Sequence, residues 1–211
     1  MGITATLTQP APHAVVLAAG AGSRFGGEKL LALLRGRPLI AHIAATVAEA
    51  LGTGLLSGAV AVIPPLATAL ARPLDTAGCA LIENPDAASG LASSLRLGLA
   101  EVTRHDPHAV AALIVLGDQP LLSRATIARL IDAWRASGKS VRPRYTLTPE
   151  APGHPVLLDR AVWPLAASLE GDRGMGPLFA AHPELLVTIA VPGANPDVDT
   201  AADLHSLQDG G

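Results

Sequence analysis

The sequence predicts an α/β fold, a three-layer sandwich whose mostly parallel central sheet carries helices on both faces. Three observations carry that prediction. Short apolar runs alternate with stretches whose apolar residues recur at helical spacing, the pattern of successive βαβ units. The run from Ala109 to Leu116 is apolar throughout, as expected of a strand buried on both faces. Hydrophobic residues make up 49% of the 211 but aromatics only 2%, so Ala, Val, Leu and Ile must form the core. A chain of this length forms one domain, placed at 13–208 behind a disordered lead-in over residues 1–12.

Taken in order, His13 to Ala18 reads as the first strand, followed by a glycine loop to about Lys29. After the Arg35-Gly36-Arg37 turn, Pro38 opens a helix striped by Leu39, Ile43, Val47 and Leu51. Gly58 to Ile63 is the second strand, ended by Pro64-Pro65, and a loose helix runs to Thr76. Ala80 to Glu83 is a short third strand. Leu91 to Val102 is a helix with Leu91, Leu95 and Leu99 on one face. After the 109–116 strand, Ser123 caps a helix to Ala136 whose inner side carries Ile127, Leu130 and Trp134. Ser140 to Thr146 and Pro155 to Leu158 read as strands, and Ala161 to Leu169 and Gly176 to Ala181 as short helices. Leu185 to Val191 is a late strand and Thr200 to Leu207 a terminal helix. The arrangement is Rossmann-like, and in such sheets ligands bind at the carboxyl ends of strands.

Composition narrows the function. A net charge of −3 argues against a nucleic-acid surface or an anionic-membrane surface. The mean hydropathy of +0.39 is high, yet no apolar run approaches the roughly 18–20 residues of a spanning helix. The N-terminus lacks the basic and apolar regions of a signal peptide. Cys79 is the only cysteine, which fits a reducing compartment, and a cytoplasmic location is expected.

The chemistry gathers in the loops after the strands. Val15-Val16-Leu17-Ala18-Ala19-Gly20-Ala21-Gly22-Ser23-Arg24-Phe25-Gly26-Gly27-Glu28-Lys29-Leu30 joins an apolar strand to a small-residue turn bearing two cations. Such a loop turns backbone N–H groups toward phosphate oxygens. It fits neither common phosphate motif. Phe25 stands where the dinucleotide fingerprint needs its third glycine, and Glu28 separates Gly27 from Lys29.

As a whole the loop resembles the opening motif of the MobA-like nucleotidyltransferases, which join an NTP to a phosphorylated acceptor and release pyrophosphate. Four later stations extend the resemblance: Asn84-Pro85 with Gly90-Leu91-x-x-Ser94-Leu95-x-x-Gly98-Leu99, Gly117-Asp118-Gln119-Pro120, Gly153-His154-Pro155-Val156-Leu157-Leu158, and Asp197-Val198-Asp199-Thr200. Together they run from about Val15 to Leu204, and within the family they are most similar to molybdenum cofactor cytidylyltransferases.

That resemblance implies a set of roles. The nucleotide would be held by Leu17, Ala18, Ala19, Gly20, Ala21, Gly22 and Ser23, with Gly90 and Ser94 beside the base. Arg24, Lys29 and Asp118 would be catalytic, the two cations balancing the triphosphate. Positioning and charge neutralisation suffice for such a reaction, which needs no protein nucleophile. Asp118, at the end of the most apolar strand, and Asp199 would hold Mg²⁺, with Asp197 as the competitor for the second place. Gly153, His154 and Pro155 would line the acceptor pocket. Implied partners are CTP and a phosphorylated pterin cofactor, with a molybdoenzyme or its chaperone receiving the product, and neither nucleic acid nor membrane.

The nucleotide is read from Ala19. Guanylyl members carry L-A-G-G where this chain has Leu17-Ala18-Ala19-Gly20, and the extra methyl narrows the pocket toward cytosine. The alternatives are a GTP-dependent guanylyltransferase, another NTP:phosphate nucleotidyltransferase, a nicotinamide-dependent oxidoreductase and a non-catalytic nucleotide-binding protein. One departure stands out. Met175-Gly176 occupies the place where the family pattern has Ala-Arg, leaving Arg142, Arg144 or Arg173 to supply an acceptor-side cation.

Overall fold

The computed structural model describes residues 10–20, 25, 28–151, 153–166, 168–172 and 174–209. Residues 1–9 of the expected lead-in lie outside that set. Pro12, within it, accepts a hydrogen bond from the Ser57 amide at 3.0 Å, and Ala11 accepts one from the Ser57 hydroxyl at 3.0 Å.

The first half of the chain builds four parallel strands, β1 (His13–Leu17), β4 (Gly58–Ile63), β5 (Ala80–Glu83) and β6 (Ala111–Leu116). The second half adds β7 (Ser140–Tyr145), β8 (Val156–Asp159) and β9 (Leu186–Val191). The seven strands lie in the order β5-β4-β1-β6-β8-β7-β9. β8 alone runs against its neighbours β6 and β7. The predicted mostly parallel α/β sheet is therefore observed, with one reversed strand.

Strand geometry sends alternate side chains to opposite faces, and two cores result. Ala14, Val16 and Ala18 face one side with the inner residues of α1 (Leu39–Gly52), α2 (Thr68–Thr76) and α4 (Arg124–Ser137). Val15, Leu17 and Ala19 face the other with α3 (Leu91–His105), α5 (Trp163–Ala166) and α6 (Gly176–Ala181). Ser123 caps α4 as expected, accepting from the Thr126 amide at 3.2 Å. Cys79 lies in the first core, and its burial pushes the thiol up to about 12.

Three local readings need correction. α3 continues past Val102 to His105, because Arg104 and His105 both reach back to Glu101 one turn earlier. The helix expected over 161–169 is a single 3-10 turn, Arg160–Val162, followed by the four-residue α5. Beyond it, Arg96 holds the Leu169 carbonyl, and the chain swings toward the start of α3. Two short strands, β2 (Leu33–Leu34) and β3 (Arg37–Pro38), pair across the expected 35–37 turn. Leu34 and Leu39 pack there with Val198, and Leu204 and Leu207 of α7 (Ala201–Asp209) join them. The C-terminal segment is thereby brought to the mouth of β1 and β6.

Candidate active site

A cavity of about 430 Å³ opens at the carboxyl ends of β1 and β6. This is the place where parallel sheets put their ligands, and the volume lies within the usual range for small molecules. Leu17, Ala19 and Gly20 form its floor from β1, and Leu116, Gly117 and Asp118 from β6. The start of α3 forms one wall, and Asp197 and Asp199 of the C-terminal segment form another.

Lys29 is the charged centre. Its Nζ donates to Asp118 Oδ2 at 2.7 Å and to Asp199 Oδ1 at 3.0 Å. Burial alone would lower the ammonium's pKa, but Asp118 and then Asp199 outweigh it and hold it above the ordinary lysine value. The Asp118 carbonyl accepts from the Val198 amide at 3.0 Å, which ties the C-terminal segment to the central strand. Asp118 Oδ1 is buried with no hydrogen-bond partner among the described residues. Asp197 lines the same cavity and accepts from Gln119 Nε2 at 2.7 Å. Burial and the neighbouring Asp118 charge push its carboxyl up.

Ala18, Ala19 and Gly20 part company. Ala19 lines the cavity, but the Ala18 side chain belongs to the opposite core and its N–H is spent on Val62 O at 2.9 Å. Ala18 is thus sheet framework rather than cavity wall. Ala21, Gly22, Ser23 and Arg24 lie outside the described residues.

Gly90 and Ser94 do line the cavity. Gly90 has φ +105°, a region that favours glycine, and a Cβ there would lie 2.3 Å from the Gly171 carbonyl carbon. The 171–172 backbone can therefore close onto α3. The Ala92 amide donates to Gly171 O at 3.1 Å and the Leu91 amide to Asp172 Oδ1 at 3.3 Å. The Ser93 amide donates to Gly90 O at 3.2 Å, so three N–H groups of the first turn are already taken. A helix start capped in this way does not serve a phosphate. Among the described residues that line the cavity, the anionic end of a ligand is left to Lys29.

Gly153, His154 and Pro155 sit apart from the cavity lining, in a second polar group at the β7–β8 edge. Gly153 passes so close to β7 that a Cβ would lie 2.1 Å from Pro143 O. His154 O accepts from Tyr145 OH at 2.8 Å and from Asn195 Nδ2 at 3.3 Å. The same Asn195 amide donates to Gln119 Oε1 at 3.1 Å, linking this group to Asp197. His154 Nδ1 is buried without a partner among the described residues. Burial lowers the imidazole's pKa, with the Asp118 charge opposing it. Sequence reasoning missed Asn195 and Tyr145, which no local pattern marks, and weighed the stretch holding Asp172 only for its acceptor-side cation.

The model of the MobA-like NTP transferase domain matches residues 14–185. The chain belongs to that family. Among solved structures, Rv0371c of Mycobacterium tuberculosis H37Rv is 31% identical and superposes with a TM-score of 0.80, over 96% of this chain and 100% of that one. Its complex with manganese is 29% identical, with a TM-score of 0.76 over 95% and 99% of the two chains. A nucleotidyl transferase from Methanothermobacter, 22% identical with a TM-score of 0.72 over 94% and 96%, shares the fold. The bifunctional protein GlmU of Mycolicibacterium smegmatis is 31% identical over 149 residues, 68% of this chain but 30% of that protein. The family match ends at residue 185, before Asn195, Asp197 and Asp199. Among the described residues no helix is long and apolar enough to cross a membrane.

Proposed function

We propose that this nucleotidyltransferase moves CMP from CTP to the terminal phosphate of a molybdopterin-type pterin, releasing pyrophosphate. The observation that carries the reading is Lys29 held between Asp118 and Asp199 at the cavity mouth. The family match supplies the reaction class, and the extra methyl of Ala19 in the cavity floor supports the smaller base.

An oxygen of the acceptor phosphate forms a bond to the α-phosphorus of CTP. The bond from that phosphorus to the bridging oxygen breaks, and pyrophosphate leaves with the electron pair. Lys29 supplies a point charge beside the phosphates, and Arg24 is proposed to share that work. The donor set suits a hard divalent cation. Asp118 and Asp199 offer only oxygen, and Asp118 Oδ1 is buried and unsatisfied. Mg²⁺ commonly binds through one or two carboxylates and completes its shell from substrate phosphates and water. Bound there, Mg²⁺ would neutralise phosphate charge and template the displacement. His154, with Gly153 and Pro155, is proposed to border the acceptor, and a molybdoenzyme or its chaperone to receive the product.

Pyrophosphate release tests the reading. It should require Mg²⁺, CTP and the phosphorylated pterin together. Release with GTP in preference to CTP would assign the guanylyl reaction instead, and indifference to the pterin would remove that acceptor.

A further inference from the structure

We infer that Asp172 is a specificity-determining residue that reads the exocyclic amino group of the nucleotide base and rejects uracil, an inference resting on the nucleotide reading above. Asp172 lines the same cavity as Lys29, yet Lys29 pairs with Asp118 and Asp199 and not with Asp172. Oδ1 of Asp172 is engaged by the Leu91 amide at 3.3 Å, and Oδ2 has no partner among the described residues. A free carboxylate oxygen repels a triphosphate. Asp172, unlike Asp118, is paired with no cation among the described residues, so the uncharged part of the nucleotide fits its wall, where the carboxylate can only accept hydrogen bonds.

Ser94, which lines the same cavity from α3, has the opposite polarity. Asn84 Oδ1 accepts from the Asp86 amide at 2.9 Å, which fixes the orientation of the Asn84 amide. Its Nδ2 then donates to Ser94 Oγ at 2.9 Å. The Ser94 oxygen thus already accepts, and its O–H is a donor with no partner among the described residues. The wall presents one fixed donor and one fixed acceptor. Cytosine matches both, with its amino group toward Asp172 and a ring acceptor toward Ser94. Uracil instead turns O4 toward the carboxylate, where two acceptors face each other.

Nucleotide affinity with Mg²⁺ present, measured by calorimetry, tests this. The wild type should bind CTP at least about tenfold more tightly than UTP, the factor expected of a hydrogen bond to a charged group. Asp172→Asn keeps an acceptor for Leu91 but can also donate. It should weaken CTP, tighten UTP and compress the ratio about tenfold. A CTP analogue dimethylated on the amino nitrogen needs no variant, and should bind the wild type about as poorly as UTP. Equal weakening of CTP and UTP in Asp172→Asn would place the carboxylate on the ribose and overturn the inference. So would full affinity for the dimethylated analogue. If the wild type prefers GTP, the cytidylyl reading fails separately. The Asp172 inference then stands or falls on whether Asp172→Asn compresses the GTP/UTP ratio.

Discussion

The two halves of the sheet solve different problems. β5, β4, β1 and β6 run parallel and end together, so their loops converge on the cavity with Lys29 and Asp118 at its mouth. β8, β7 and β9 contain the reversed strand, and their polar residues form a chain of hydrogen bonds from Tyr145 through His154 and Asn195 to Gln119. The first half concentrates charge where a polyanion can reach it. The second buries neutral polar groups, among which His154 Nδ1 and Asn195 Oδ1 have no partner among the described residues. In the proposed reaction, chemistry falls to the parallel half, and support and acceptor selection to the mixed one.

Substitutions can break that division. Asp118→Asn should leave the fold intact and lower turnover by at least about a hundredfold, because it removes charge at the reacting phosphates. A folded variant with full turnover would take Asp118 out of the reaction. Lys29→Met should weaken CTP binding by about tenfold or more in calorimetry, while circular dichroism stays unchanged. On the other side, Gly153→Ala should cost about 1–3 kcal/mol in denaturant unfolding, as its Cβ meets the Pro143 carbonyl, with CTP affinity preserved. A loss of CTP affinity at equal stability would show the two halves to be one site.

The smallest effect is one of pH. Burial keeps the His154 pKa below the usual 6.5. As pH falls past 6.5 the unfolded chain therefore takes up the proton first, and stability drops. Lys29, with its pKa raised, behaves oppositely and keeps its contribution until pH exceeds the ordinary lysine value of 10.5. Melting at pH 7.5 and 5.5 should show the acid-side loss, smaller in His154→Gln than in the wild type.

The parallel half was the more legible in sequence. Gly58–Ile63 and Ala80–Glu83 are bounded by Pro, Gly and Asn, and their observed limits coincide with those expected. Asp118 was visible because a carboxylate at the end of an apolar run needs a reason to be there. The reversed direction of β8 was not visible, since a short apolar strand carries no mark of its sense. Nor were Asn195 and Tyr145, whose partners come from segments far apart in the chain. Ser94 was singled out, but its donor polarity was hidden because it depends on Asn84 ten residues earlier. The pairing of Lys29 with Asp199 was hidden for the same reason: two charged residues in separate loops say nothing of their distance.

That pairing joins residues 170 positions apart. All seven sheet strands end by Val191, before Asp199. During synthesis the sheet can therefore be complete while the nucleotide site still lacks a wall and Lys29 one of its two counter-charges. Nucleotide binding becomes a report that the segment after β9 has docked. A version shortened just after β9 would keep its framework and lose the mouth of the cavity.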